Sequence, residues 1–227
     1  MCLSLVGSEM CIRDSFRLIS IARKWPNCII VADEIYDGLD FTGEQRSVAS
    51  LSPDVPVFVL NGVSKVYYAP GWRIGYLGIH DPKGRMQLIR DGIERLLRSR
   101  LCASTPAQLG YLAGLDSDRS WMKSYSEKIV RQRDLCISRI NEIDGLEVQS
   151  SGGAFYMFVK LTDSKWQDND KQFVLQLLHE EHILVVHGSG FSPELGKGHF
   201  RIVYLPNVDI LNEAFDRIER FLLRHRT

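Results

Sequence analysis

Apolar and polar positions along this chain fall into blocks whose period changes, and the blocks predict a succession of helices and strands. From Phe16, the stretch FRLISIARKW sets Phe16, Ile19 and Ile21 among polar residues and stops before Pro26, the pattern of the last turns of a helix. The run CIIVA (28–32) is continuous, apolar and rich in β-branched residues, and it ends abruptly at Asp33 and Glu34. That predicts a strand buried on both faces of a parallel sheet. A second run of this kind, 57–60, is closed by Asn61 and Gly62. Two such strands predict an open α/β sheet, whose ligands gather beyond the carboxyl ends of the strands. A third strand over 73–79 is interrupted by glycines, and 83–100 then repeats Met86, Ile89, Ile93, Leu96 and Leu97 at the spacing of a surface helix.

Thr105 and Pro106 open a further helix over 108–115. After a polar turn at 116–120, a long helix carries Ile129, Cys136, Ile137, Ile140 and Ile143 on one side, and Gly145 ends it. The remaining order is strand (146–149), strand (154–161), helix (171–181), strand (183–187), strand (199–205) and a helix carrying Ile210, Leu211, Ala214, Phe215, Ile218 and Leu222. This half reads as a small α+β domain. The expected organisation is therefore an extension over 1–15 with neither period, part of a larger α/β domain over 16–115, and a linking helix with the small domain over 116–227.

Composition narrows the partners. The 227 residues include 28 Lys plus Arg against 28 Asp plus Glu, which leaves no net charge to hold a nucleic acid or an anionic membrane surface. No apolar stretch approaches the roughly 20 residues needed to cross a bilayer, and MCLSLVGSEM lacks the basic start of a secretory signal, so the chain reads as cytoplasmic. The five cysteines are scattered without a C-x-x-C pair. His179 and His182 in LLHEEHI lie three apart with no third ligand in view, which reads as a solvated helix end. No metal site is expected.

Candidate chemistry gathers near Lys65, in LNGVSKVYYAPGWRIGY. It follows a buried strand closely and sits among Gly62, Ser64, Pro70 and Gly71, where desolvation can lower an amine's pKa and make it a nucleophile toward carbonyls. From spacing alone, a loop lysine reaching solvent is an equal reading. The run Ser64 to Tyr76, S-K-x-x-x-x-P-G-W-R-x-G-Y, resembles the fold-type I pyridoxal-phosphate-dependent aminotransferases. The upstream D-E-x-Y, the G-G-A-F-Y of 152–156 and H-F-R-I-V-Y-L-P of 199–206 follow in the family's order. RLCASTPAQ and VVHGSGF look closest to the alanine aminotransferase subgroup.

The resemblance implies the C-terminal part of a mainly parallel-sheet large domain that binds pyridoxal 5'-phosphate, followed by the small α+β domain. It implies that Lys65 forms an imine with the cofactor and then shuttles the substrate proton. Asp33 would pair with the pyridine nitrogen, Tyr36 would hydrogen-bond the ring oxygen, and Arg73, with Ser64, would hold the phosphate. Arg201 would grip the substrate α-carboxylate. Outside the resemblance, Asp33 reads as a cap or turn residue, and Arg201 as a strand residue free to face solvent. Gly62 stands where the commoner family pattern has a serine, so one phosphate contact is lost or comes from backbone N–H. Gly152 and Gly153 read as a turn allowing close approach near the site, or as a plain hairpin.

The activity implied is transfer of an amino group between an amino acid, alanine above all, and a 2-oxo acid such as 2-oxoglutarate, by a homodimer. A β-eliminating lyase, or an aminotransferase of other specificity, fits the same motifs. The reading of another class is a non-catalytic fragment that pairs with a partner chain. The family's N-terminal phosphate-binding turn, its ring stacked on the cofactor and its asparagine near the ring oxygen have no counterpart in these residues, which implies N-terminal truncation.

Overall fold

The structure is a computed structural model and describes residues 12–43 and 46–226. Two compact units divide it, one up to Ser120 and one from Trp121. In the first, α1 (Ile12–Ala22) leads to β1 (Ile30–Asp33), α2 (Val48–Leu51), β2 (Val57–Gly62), the single turn α3 (Val63–Val66), a 3₁₀ turn at Pro70–Trp72, β3 (Gly75–His80), α4 (Gln87–Arg100) and α5 (Thr105–Asp116). Helix α1 starts at Ile12, inside the segment expected to lack periodicity, and it buries Ser15 beside the core face that carries Ile19 and Ala22. Residues 1–11 of that expected extension lie outside the described residues.

The sheet order is β1-β2-β3, with β1 parallel to β2 and β3 antiparallel to β2. Ile19 and Ala22 of α1, with Val48 and Leu51 of α2, close over Ala32, Val55, Val57 and Val59 on one side of it. The other side of β1 is open, with Val31 51% exposed. The expectation of burial on both faces therefore fails at β1, because among the described residues it pairs only with β2 and is packed only on the Ala32 side. Helix α4 is the surface helix that the spacing predicts, but its apolar stripe is uncovered. Met86 is buried just ahead of it, yet no residue within it is buried, and Leu88, Leu96 and Leu97 are exposed. A second, smaller core joins Val63, Ile74 and Tyr111, with Tyr67, Ala69 and Ala107 against it.

The second unit runs α6 (Trp121–Glu142), β4 (Leu146–Val148), β5 (Tyr156–Leu161), α7 (Ser164–Gln167), α8 (Asp170–Glu181), β6 (Val186–His187), a 3₁₀ turn at Gly188–Gly190, β7 (His199–Val203) and α9 (Val208–Arg224). Its four strands are antiparallel in the order β4-β5-β7-β6. Met157, Val159 and Leu161 of β5 and Phe200 and Ile202 of β7 face the helices, as period-2 alternation requires. Trp166, Phe173, Phe200 and Phe221 form an aromatic cluster beneath them, with neighbouring ring centroids 5.0–5.8 Å apart. Strand β5 begins two residues later than expected because Ala154 takes a left-handed conformation (φ 59). His182 ends α8 in the same region (φ 58), so it is not on one helical face with His179. No group of three or more His, Cys, Asp or Glu suited to a metal occurs among the described residues. No described helix is long and apolar enough to cross a membrane.

Candidate active site

The register of the first sheet gathers the sequence candidates at one end. Asp33, last residue of β1, pairs with Leu60, and β2 continues two residues to Gly62, from which α3 turns away carrying Ser64 and Lys65. Gly62 in turn pairs with Gly75 of the antiparallel β3, so Arg73, two residues before Gly75, arrives at the same end. Asp33, Tyr36, Ser64, Lys65 and Arg73 thus all lie just beyond the carboxyl ends of the two parallel strands, where open α/β sheets place ligands.

Local chemistry fixes each of them. The carboxylate of Asp33 is exposed and accepts a long bond (3.4 Å) from the Ile35 N–H. Its neighbour Glu34 points the other way and is buried, accepting from the Val48 N–H (2.9 Å) and the Ser47 hydroxyl (3.1 Å), and burial pushes its carboxyl above the ordinary range. Lys65 is half-buried, with its Nζ 5.7 Å from the centroid of the Tyr36 ring. The connection after α3 is strained: Tyr68 (φ 53) and Arg73 (φ 52) are both left-handed, a conformation that costs a non-glycine residue about 1–2 kcal/mol. Arg73 is exposed, its Nη1 donates to the Pro70 carbonyl at 2.7 Å, and no carboxylate pairs with it among the described residues.

Gly62 has a steric reason. Its backbone is extended (φ 178), but a Cβ there would lie 2.7 Å from the Ile74 carbonyl oxygen and 3.0 Å from Gly75 Cα. A Cβ on Gly75 would lie 2.6 Å from the Asn61 oxygen. The serine of the commoner pattern does not fit between β2 and β3 as they stand. The Gly62 N–H is engaged as well, donating to Asn61 Oδ1 at 2.7 Å. Ser64 and Arg73 are left as the phosphate candidates.

Arg201 lies in the second unit, on the half-exposed face of β7 opposite Phe200 and Ile202. Its guanidinium carbon is 4.5 Å from the Tyr156 ring centroid and 4.5 Å from that of Phe191. No carboxylate pairs with it among the described residues, and its buried Nε has no hydrogen-bond partner. A buried Nε–H without a partner is costly, and an anion delivered to this place supplies an acceptor and a counter-charge. Tyr156 lies in the GGAFY motif, but Phe191 was legible only as part of VVHGSGF, since nothing in sequence joins that loop to a strand ten residues on. The turn at 151–155 is held by Tyr204, whose hydroxyl donates to the Ala154 carbonyl (3.1 Å) and bonds the Ser151 hydroxyl (3.2 Å). Its left-handed residue is Ala154 rather than either glycine.

Residues 13–218 match the family described as aminotransferase class I and II. The chain belongs to that family. Within it, the chain is 37% identical over 217 residues to the glutamate-pyruvate aminotransferase AlaA of Haemophilus influenzae, covering 92% of this chain and 52% of the relative. It is 35% identical over 214 residues to the alanine aminotransferase of Mycobacterium tuberculosis, covering 92% and 49%. Among solved structures, the alanine aminotransferase of Pyrococcus furiosus superimposes with a TM-score of 0.90 at 45% identity, over 94% of this chain and 53% of that one. This aminotransferase chain therefore spans about half the length of the curated relatives it matches. Class I and II aminotransferases are generally pyridoxal-phosphate enzymes, and the donor set at the sheet end suits that group: an amine, a carboxylate, a phenol, a hydroxyl and a guanidinium with donors to spare.

Proposed function

We propose that this chain is the C-terminal portion of a pyridoxal-phosphate-dependent aminotransferase that moves an amino group between alanine and a 2-oxo acid such as 2-oxoglutarate. The observation that carries the reading is the register that sets Asp33, Lys65 and Arg73 at one end of the β1-β2-β3 sheet. The names of the relatives from H. influenzae and M. tuberculosis support the choice of alanine.

Pyridoxal 5'-phosphate, when bound, supplies an electron sink for charge developing at the substrate Cα. The chain's own residues do the rest. Asp33 would pair with the pyridine N–H, where its negative charge would favour the protonated ring. Arg73 and Ser64 bind the phosphate, the guanidinium through its fixed fork of donors. The Tyr36 phenol hydrogen-bonds the ring oxygen. Lys65 would hold the cofactor through its Nζ, and its amine is the group that would take the proton from the substrate Cα. Arg201 would receive the substrate α-carboxylate in a two-pronged pair, its guanidinium supplying two parallel donors. The working assembly is a cytoplasmic homodimer.

The test uses the full-length protein that carries this chain. With pyridoxal phosphate, borohydride reduction and peptide mapping should put the pyridoxyl label on Lys65, and alanine should yield more than one equivalent of pyruvate per site only when a 2-oxo acid acceptor is present. A label on another lysine would sink the site. Ammonia release without an acceptor would point to a lyase.

A further inference from the structure

Asp170 is the first residue of α8, a position where an aspartate ordinarily stays in water and caps its own helix. Here it is 3% exposed. Removing a carboxylate from water costs several kcal/mol unless hydrogen bonds compensate. Its Oδ2 accepts the backbone N–H of Ser189 at 2.7 Å, a group on a different element, and lies 3.9 Å from His187 Nδ1. That same His187 nitrogen is hydrogen-bonded to the Ser189 hydroxyl at 3.0 Å. The buried carboxylate is thus spent on fixing the Gly188–Gly190 turn.

The turn has no slack elsewhere. A Cβ on Gly188 would lie 2.1 Å from the Gly196 oxygen, and one on Gly190 would lie 2.9 Å from the His187 ring. Phe191 follows at once, its N–H donating to the Gly188 carbonyl at 2.9 Å, and its ring covers one side of the Arg201 guanidinium. The Tyr156 ring centroid lies 4.5 Å from the same guanidinium carbon, next to the turn that the Tyr204–Ala154 bond holds. Strand β6, which leads into the turn, is only two residues long. Asp170 is therefore a buried polar anchor of the turn that carries Phe191, whose ring also meets the Phe158 ring edge-on with centroids 5.7 Å apart. A free arginine side chain samples many rotamers, and holding it in place beforehand makes carboxylate capture tighter without new contacts.

We propose that Asp170 is a positioning residue for carboxylate recognition, acting through Ser189 and the Gly188–Gly190 turn to hold Phe191 against Arg201. The proposal rests on Arg201 receiving the substrate carboxylate, and it assigns Asp170 no contact with substrate or cofactor.

The experiment compares parent, Asp170→Ala, Asp170→Asn, Phe191→Ala, the Asp170→Ala/Phe191→Ala double variant and Arg201→Ala as full-length holoenzymes. Each is assayed in the half-reaction with alanine and with ethylamine, which has no carboxylate. Loss of a hydrogen bond to a charged group predicts that Asp170→Ala raises the KM for alanine about tenfold. Its kcat, its cofactor absorption and its ethylamine rate should stay within about threefold of the parent. Asp170→Asn, whose side-chain oxygen still accepts from Ser189, should recover most of the loss. Phe191→Ala should show the same split, and the double variant should be no worse than the poorer single, as two steps on one path require. Equal loss with alanine and ethylamine in Asp170→Ala, or additive losses in the double variant, would overturn the role of Asp170 even if Arg201→Ala discriminates between the amines. Equal loss for both amines in Arg201→Ala would remove the carboxylate reading itself and the proposal with it. Should Asp170→Ala not fold, Phe191→Ala decides: the alanine-specific split supports the clamp, and equal loss rejects it.

Discussion

The ammonium of Lys65 stands 5.7 Å from the centre of the Tyr36 ring, a meeting of two residues from the segments that follow neighbouring parallel strands. It puts an amine and a phenol side by side at the sheet end, and the first expected outcome concerns that amine. Lys65→Ala in the holoenzyme should lower the single-turnover rate with alanine by about 1,000-fold or more, since proton transfer loses its base. The helix should persist, alanine being the best helix former. Lys65→Arg should not rescue, because a guanidinium stays protonated. Stopped-flow absorbance and circular dichroism together check this, and a near-normal rate would move Lys65 out of the chemistry.

Arg201→Lys should replace a planar fork with one mobile charge, and Arg201→Ala should leave a carboxylate in the aromatic clamp without a counter-ion. Truncating one partner of such a pair typically costs about 2–5 kcal/mol, so kcat/KM for alanine should fall roughly 30-fold or more in the alanine variant. Cofactor affinity, read by fluorescence titration, should change little. Loss of cofactor with unaltered substrate dependence would place Arg201 in a structural role instead.

Gly62→Ser, which would recreate the commoner family pattern, should destabilise rather than improve the protein, since the new Cβ falls 2.7 Å from the Ile74 carbonyl oxygen. Overpacking of this kind typically costs about 1–3 kcal/mol. Differential scanning calorimetry should show Tm lowered by several degrees. An unchanged or raised Tm would show that β2 and β3 separate there without strain.

Glu34 carries a pH dependence of definite sign. Burial outweighs the bonds from Val48 and Ser47 and raises its carboxyl above the ordinary 4.5, so the protonated form is the one folding favours. Its stabilising contribution is complete below the unfolded pKa and is lost as pH rises through the raised folded value. Glu34→Gln stays neutral, and its side-chain oxygen still accepts the Val48 N–H. The stability gained by the variant over the parent should be smallest at or below pH 4.5, should grow as pH passes the folded value, and should then level off. Urea midpoints across a pH series check this. A gain that shrinks with rising pH would reverse the assignment.

Much of this architecture was legible because its signals are local. The runs at 28–32 and 57–60 announce strands, and Lys65, Asp33 and Arg201 stand out against their apolar surroundings. The misreadings occurred where a partner outside the local pattern decides the outcome. Val31 looks like a doubly buried strand residue, yet burial depends on what lies across the sheet, which no periodicity encodes. Residues 12–15 are helical although no apolar period announces it, and Ser15, polar in any pattern, is buried. Asp170 reads as an ordinary first-turn acid, and only the fold shows its carboxylate turned onto the Ser189 N–H. Phe191 and Arg201 meet because two antiparallel strands, β6 and β7, bring their loop and strand together.

Among the described residues β1 pairs only with β2, and its other edge bears on how this polypeptide behaves in the test tube. Residues 28–32 form a short, uncharged, strongly β-prone segment, and Val31 presents one face of it to solvent. A strand of that composition with unpaired backbone groups is a template on which a second copy can add, edge to edge. Produced by itself, the chain carries an aggregation hazard that rises with concentration. A charge introduced at Val31, on the open face, is the change that would lessen it without disturbing Ala32 and the packed side.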